Sequence, residues 1–235
     1  MIILLLFVLF LNSPVFAAEY GIYSYRDYAY ENEYQEKILF ILDFSNSMTD
    51  FLDGQRKVDV MLETMSNILL SVPSNALIGL RVYGHRGGFS AFDACRASTL
   101  MVSLGIPDLN NINSALKKLN PRGMTPITYS LKQAIKNDFL GVSGDKRIIL
   151  LTDGGENCDE SPCEYVMELV KVRKDVKIDV IAFGIQNEDD LSQLECTALV
   201  TSGKFYSANT AAELKKSLTN SITVKKEVEA KIFQN

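Results

Sequence analysis

The residue types that build most nitrogen- and sulfur-ligated centres are scarce in this chain: one His, four Cys and no Trp among 235 residues. A single imidazole excludes chemistry that needs several, including zinc sites rich in histidine. Basic charge is not in excess either. There are 24 Lys and Arg against 29 Asp and Glu, for a net charge of -5 and a pI near 5.1. A nucleic-acid binder normally carries a basic stripe, so no nucleic-acid partner is expected. Long apolar runs are also missing beyond the first residues, and nothing later approaches the roughly 20 residues of a membrane-spanning helix. What is present is a 47% hydrophobic composition, enough to bury a core and to exclude global disorder. The length suits one large domain or one domain with extensions.

Residues 2–11 read IILLLFVLFL and are followed by Pro14 and Val15-Phe16-Ala17. That run is too short to span a bilayer, but it matches the apolar region of a secretory leader, with Val15 and Ala17 as the small residues before a cleavage point. No Lys or Arg precedes it, so both a cleaved leader and a retained tether fit. A signal peptide over 1–17 is expected, giving an exported chain, periplasmic or extracellular, with no transmembrane span once it is mature. An arm over 18–36 follows. It holds six of the ten tyrosines, and from Glu19 to Glu36 five acids stand against the one base Arg26. Stacking platforms for RNA sit in basic grooves, so this arm reads as an exposed extension or a partner-contact strand.

From Lys37 the pattern becomes regular. KILFILDF, ALIGLRVYG, KRIILLTDGG and KIDVIAFGI are nearly all apolar and end in Asp or Gly, as strands buried on both faces do. STLMVS and KFYSA are shorter strands. Between them, Val58, Met61, Leu62, Met65, Ile68, Leu69 and Val72 recur at helical spacing. Further helices are expected from the Asp108 cap through Leu119, from Pro126 through Ile135, and over 161–173, 188–201 and 210–221. Alternating strands and helices predict an α/β fold, a Rossmann-like doubly wound and mostly parallel sheet flanked by helices. One domain over 37–221 and a C-terminal tail over 222–235 complete the expected organisation.

In such a sheet, ligands bind at the carboxyl ends of the strands where strand order switches. Three segments place oxygen donors there: Asp43-Phe44-Ser45-Asn46-Ser47, Gly123-Met124-Thr125-Pro126, and Thr152-Asp153-Gly154-Gly155. Asp43, Ser45, Ser47, Thr125 and Asp153 offer two carboxylates and three hydroxyls with no nitrogen or sulfur. That is a hard-cation set, suited to Mg²⁺, Mn²⁺ or Ca²⁺. So few charges leave the ion Lewis-acidic, with a position for an incoming carboxylate. Each residue also has a plain structural role available: Thr125 as a helix cap, Ser45 and Ser47 as turn residues, Asp153 as a strand exit. All five holding such roles in this order is the weaker account.

The D-x-S-x-S, G-x-T-P and T-D-G motifs at three strand ends resemble the metal-ion-dependent adhesion site of von Willebrand factor type A domains, over about residues 37–218. YGHR, PRGMTPI and TDGGENC, with Cys163 and Cys196, resemble secreted bacterial members called chloride-channel-like; the chain has neither pore segments nor an HExxH protease motif. The resemblance implies a strand order of 3-2-1-4-5-6. It also implies that Ser45, Ser47 and Thr125 ligate a divalent ion, that Asp43 and Asp153 contribute charge, and that a Glu or Asp from an unidentified protein ligand takes the sixth position.

An exported chain favours disulfides among Cys95, Cys158, Cys163 and Cys196, with three connectivities open; a four-thiolate zinc site is the rival. Cys95 and Cys158 follow strands whose ends share the metal-bearing rim, and Cys163 and Cys196 are expected near the starts of neighbouring helices. That placement leans toward 95–158 with 163–196, against the rival 158–163 pairing. His85 reads as an exposed loop histidine. Arg86 and Arg122 either guide an acidic ligand or are solvated loop charges.

The functional expectation is a divalent-cation-dependent, adhesion-type binding module; the alternative is a structural subunit of an envelope complex whose metal site only stabilises the fold. No enzyme is expected. There is no G-x-S-x-G elbow, no GxGxxG or phosphate loop after a strand, and Ser45 stands where a phosphoacceptor Asp43 would need a second Asp.

Overall fold

The computed structural model describes residues 36–223. The expected leader lies outside the described residues, as do the expected arm over 18–36 and tail over 222–235 except at their inner ends, where Glu36 begins the first strand and Ile222 ends the last helix. The elements run in the order β1 (Glu36–Asp43), β2 (Phe51–Leu52), β3 (Gln55–Arg56), α1 (Lys57–Ile68), β4 (Ala76–Tyr83), α2 (Ala91–Ala94), β5 (Ser98–Gly105), α3 (Leu109–Leu116), α4 (Ile127–Gln133), β6 (Lys146–Thr152), α5 (Pro162–Val172), β7 (Val176–Phe183), α6 (Glu188–Val200), β8 (Phe205–Ala208) and α7 (Ala211–Ile222).

Six strands form one sheet in the order β5-β4-β1-β6-β7-β8. Leaving out the β2–β3 hairpin, this is the expected 3-2-1-4-5-6. All pairings are parallel except β4 with β5. The chain winds outward from β1 on one side and from β6 on the other, so the switch in direction falls between them.

The near-continuous apolar strands are explained by helices on both faces. On one face Ile38, Phe40, Leu42, Val82, Ile149 and Leu151 pack with Met61 and Met65 of α1, Ile112 of α3, and Leu214 and Leu218 of α7. On the other, Leu39, Ile41, Ile148, Leu150 and Val180 pack with Leu131 of α4, Val166 of α5 and Leu194 of α6. Each such side chain is fully buried and contributes about 1.5–3 kcal/mol; Ile41→Ala would cost about 2–5 kcal/mol. This rigid centre holds the strand ends in register, setting Asp43 beside Tyr83 and Leu42 beside Leu151.

Several elements depart from expectation. The short hairpin β2–β3 turns through Asp53 and Gly54, both at positive φ (50° and 82°). That is the Asp-Gly turn chemistry of two-residue hairpins, so the signal was present in the sequence. The expected helix to Val72 ends as α-helix at Ile68 and closes in a 3-10 turn over Leu69–Ser71. The helix after Pro126 begins one residue later, at Ile127, and widens into a π-helical turn over Ala134–Asp138. There Asp138 takes two hydrogen bonds from the buried Arg81 guanidinium, at 2.6 and 2.7 Å. A long-range pair of that kind leaves no periodicity signal. Among the described residues no helix is long and apolar enough to cross a membrane.

Candidate metal centre

The five oxygen-bearing side chains singled out from sequence come from three segments around the switch point. Asp43 is the last residue of β1 and is fully buried. Its Oδ1 accepts the Ser45 N–H at 2.6 Å, and its Oδ2 accepts the Thr152 hydroxyl at 2.8 Å. The Asp-to-backbone bond two residues on is the local turn that Asp favours at a strand exit. It redirects the chain into the 3-10 turn Asn46–Thr49, carrying Ser47 back over the strand end. Ser45 bridges in parallel to Gly123, and the Asn46 N–H donates to the Gly123 carbonyl at 3.0 Å. This docks the segment bearing Thr125 against the first motif. The approach requires a glycine at position 84, where φ is +68° and an added Cβ would lie 2.5 Å from the Ser45 nitrogen.

The hydroxyls converge. Ser45 Oγ lies 3.0 Å from Ser47 Oγ, and Ser47 Oγ donates to Asp153 Oδ1 at 2.7 Å. Adjacent oxygens of an octahedron with metal–oxygen distances of about 2.0–2.1 Å stand about 3 Å apart, so this spacing fits one shell around a small divalent ion. Thr125, 3% exposed, is not spent on capping. Pro126 occupies the cap position of α4 without a side-chain cap bond, and the Thr128 N–H donates to Glu156 Oε2 at 2.7 Å instead. The Thr125 backbone N–H is met by Asn157 Oδ1 at 2.7 Å. Asn157 and Glu156, both from the loop after Asp153, thus brace the threonine segment. Sequence reading did not single them out.

Electrostatics set the cluster apart. Burial pushes the Asp43 carboxyl up from 3.8 to about 7, the neighbouring Asp153 charge adds to the rise, and the hydrogen bonds from Ser45 and Thr152 offset part of it. The Tyr83 hydroxyl is pushed well above its ordinary value, by burial first and then by the Asp43 charge; its oxygen is buried without a hydrogen-bond partner. Lys57, the first residue of α1, reaches Asp153 Oδ2 at 3.0 Å and is itself buried. Its role was not legible in the sequence. Among the described residues no three His, Cys, Asp or Glu side chains gather into a metal-holding group; the side-chain oxygens in mutual contact are those of Ser45, Ser47 and Asp153, with Asp43 tied to them through Thr152 and the Asp153 N–H.

The cysteines form two disulfides, Cys95–Cys158 and Cys163–Cys196, each with Cα atoms 5.4 Å apart. With every thiol paired, the four-thiolate zinc alternative is overturned, as is the 158–163 pairing. Cys95–Cys158 joins the end of α2 to the loop following Asp153. Cys163 is the second residue of α5, but Cys196 lies well inside α6 rather than near its start. His85 is not an exposed loop residue either. It is half-buried, with Nε2 3.2 Å from Thr99 Oγ1 on β5. Burial lowers its pKa, and the Arg86 and Arg122 charges lower it further. Those two arginines are exposed, and their backbone lies beside the Ser45–Gly123 bridge.

Comparison with known proteins agrees with this architecture. The Bacillus subtilis (strain 168) protein YwmC, itself uncharacterised, is 28% identical over 213 residues, covering 89% of both chains. Proximal thread matrix protein 1 of the mussel byssus, solved with a zinc-occupied metal-ion-dependent adhesion site, superposes with a TM-score of 0.60 at 22% identity; the match spans 79% of this chain and 44% of that one. The pilus adhesin SpaC of Lactobacillus rhamnosus GG superposes with a TM-score of 0.60 at 15% identity over 80% of this chain and 29% of its own. These structural likenesses show the fold. The profile of the von Willebrand factor type A domain matches residues 37–220, and the chain belongs to that family.

Proposed function

We propose that this protein is an exported, divalent-cation-dependent binding module whose ion is held by Asp43, Ser45, Ser47, Thr125 and Asp153 and accepts a Glu or Asp side chain from a protein partner. The observation that carries this reading is the run of oxygens from Ser45 through Ser47 to Asp153, spaced at 3.0 and 2.7 Å at the sheet's switch point. Ser45, Ser47 and Thr125 would supply neutral oxygens, and Asp43 and Asp153 the charge. A Mg²⁺, Mn²⁺ or Ca²⁺ ion would supply the Lewis acidity that attracts a carboxylate. Arg86 and Arg122 favour the approach of that acid. The cluster is read as a binding site, in keeping with the family the chain belongs to, and the one histidine is engaged with Thr99. Support for export comes from the apolar leader and from two disulfides, which persist in oxidising compartments. The adhesin SpaC and the zinc-occupied mussel protein share the fold and make an adhesion-type role a natural reading here.

The Lys57–Asp153 ion pair gives the alternative some support, since an internally paired carboxylate can serve the fold alone, as in a structural subunit. Calorimetric titration of the oxidised chain with Mg²⁺, Mn²⁺, Ca²⁺ and Zn²⁺ separates the two when it is paired with Asp43→Ala and Asp153→Ala. Saturable binding of about one ion per chain, lost in folded variants, supports the module. A folded wild-type chain that binds no ion, or variants that unfold, would favour the structural role.

A further inference from the structure

Lys57 breaks two local rules at once. It is 8% exposed, although lysine is almost never buried unless paired. It also opens α1, where the helix dipole disfavours a cation. Residues that violate local preference without local gain mark functional sites, and here the gain is at long range. The ammonium lies 3.0 Å from Asp153 Oδ2, while Ser47 occupies Oδ1 of the same carboxylate. The path of the stem is prepared. The Lys57 N–H is fixed to the Asp50 carbonyl at 2.9 Å. Gly184, at φ +69° in the turn after β7, lies under the stem, and a Cβ there would sit 3.3 Å from Lys57 Cε. Leu52 of the β2–β3 hairpin closes over the same point.

We propose that Lys57 is the resident counter-charge of the metal centre: it fixes the orientation of Asp153 and removes one negative charge from the shell, so the site holds its ion more loosely and leaves it more electrophilic toward a partner's carboxylate. This rests on the metal-binding reading above. The two effects of the lysine oppose each other, since orienting a ligand strengthens binding whereas a cation beside the ion repels it. Ser47 keeps Asp153 oriented when the lysine is gone, so repulsion dominates. The metal-free protein gains in turn, because the ammonium is the one cation hydrogen-bonded to either carboxylate of the pair among the described residues.

The test is Mn²⁺ titration of the oxidised full chain as wild type, Lys57→Met and Lys57→Gln, with thermal denaturation of each in metal-free and Mn²⁺-saturated form. Both variants remove the charge, and Met keeps the apolar stem that packs on Gly184. The expected result is Mn²⁺ affinity tighter by about tenfold, with the melting temperature lowered in the metal-free variants and restored by the ion. A variant that is folded only when Mn²⁺ is present gives the same answer in stronger form. Wild-type binding with unchanged or weaker affinity in the folded variants overturns the role of Lys57 and leaves the metal site standing. No saturable binding by the wild type overturns both.

Discussion

Two buried carboxylates, Asp43 and Asp179, are each fully shielded from solvent, yet their surroundings are opposite. Asp179, in the middle of β7, is saturated. It accepts from Arg147 Nη1 at 3.0 Å, from the Lys204 N–H at 2.9 Å and from Ser221 Oγ on α7 at 2.5 Å. Its charge is matched by a guanidinium, and its bonds tie the last helix and the edge strand to the sheet. Asp43, at the end of β1, is hydrogen-bonded only to neutral groups, and the nearest charge pushing on it is the second carboxylate Asp153. Burying a carboxylate without a cation is costly. The fold tolerates that cost at the switch point, and a cation held there would offset it.

The largest expected effect breaks the Asp179 side of the comparison. Asp179→Ala leaves the half-buried Arg147 with only Glu36, 4.0 Å away, and frees Ser221 and the Lys204 N–H, so it should cost about 2–4 kcal/mol. Chemical denaturation should give the same loss with and without divalent ions, because nothing in this network touches the metal centre. A loss that vanishes on adding Mg²⁺ would show that the two carboxylates are not separate systems.

Asp43→Asn should act in the opposite direction. The amide keeps an oxygen for the Ser45 N–H and can donate to Thr152 Oγ, whose proton then turns wholly to the Gly154 carbonyl, 2.7 Å away. Removing the uncompensated charge should stabilise the metal-free chain by about 1–3 kcal/mol, while calorimetry shows divalent-ion binding abolished. A variant less stable than wild type in the absence of metal would remove the basis for reading Asp43 as strained by its charge.

The same contrast explains what the sequence made legible. Asp43, Ser45, Ser47, Thr125 and Asp153 stand in short motifs at strand ends, and the apolar strands that carry them have one reading as a buried parallel sheet. Strand order followed from the family resemblance those motifs carry. Lys57 and Asp179 had no such signal. Lys57 sits in the polar stretch Gln55-Arg56-Lys57 and reads as an ordinary helix start; Asp179 interrupts Ile178 and Val180 and reads as a lapse in an apolar strand. Each finds its partner far away in sequence, and such pairing is written only in the tertiary structure. The arrangement of His85 was hidden in the same way, because Thr99 reaches it from the antiparallel edge strand.

The smallest effect, taken per pH unit, is the slope that Asp43 and its interaction with Asp153 give to stability. Its carboxyl ionises near 3.8 when unfolded and at about 7 in the metal-free fold. Below 3.8 it is protonated in both states and costs nothing. As pH rises from there toward 7, the unfolded chain releases its proton while the folded chain resists, so stability falls across that window and levels off above it. The slope from one group is at most about 1.4 kcal/mol per pH unit. Ion binding reverses the preference, because the ion requires the carboxylate; affinity should therefore rise with pH through about 7, with a proton released on binding. Melting curves of metal-free wild type and Asp43→Asn between about pH 4 and pH 8 read the effect of Asp43 together with its interaction with Asp153, while groups outside that pair cancel in the difference. Parallel curves for the two proteins would mean that Asp43 is no harder to ionise in the fold than out of it. The asymmetry with Asp179 would then be one of hydrogen-bond partners and not of charge.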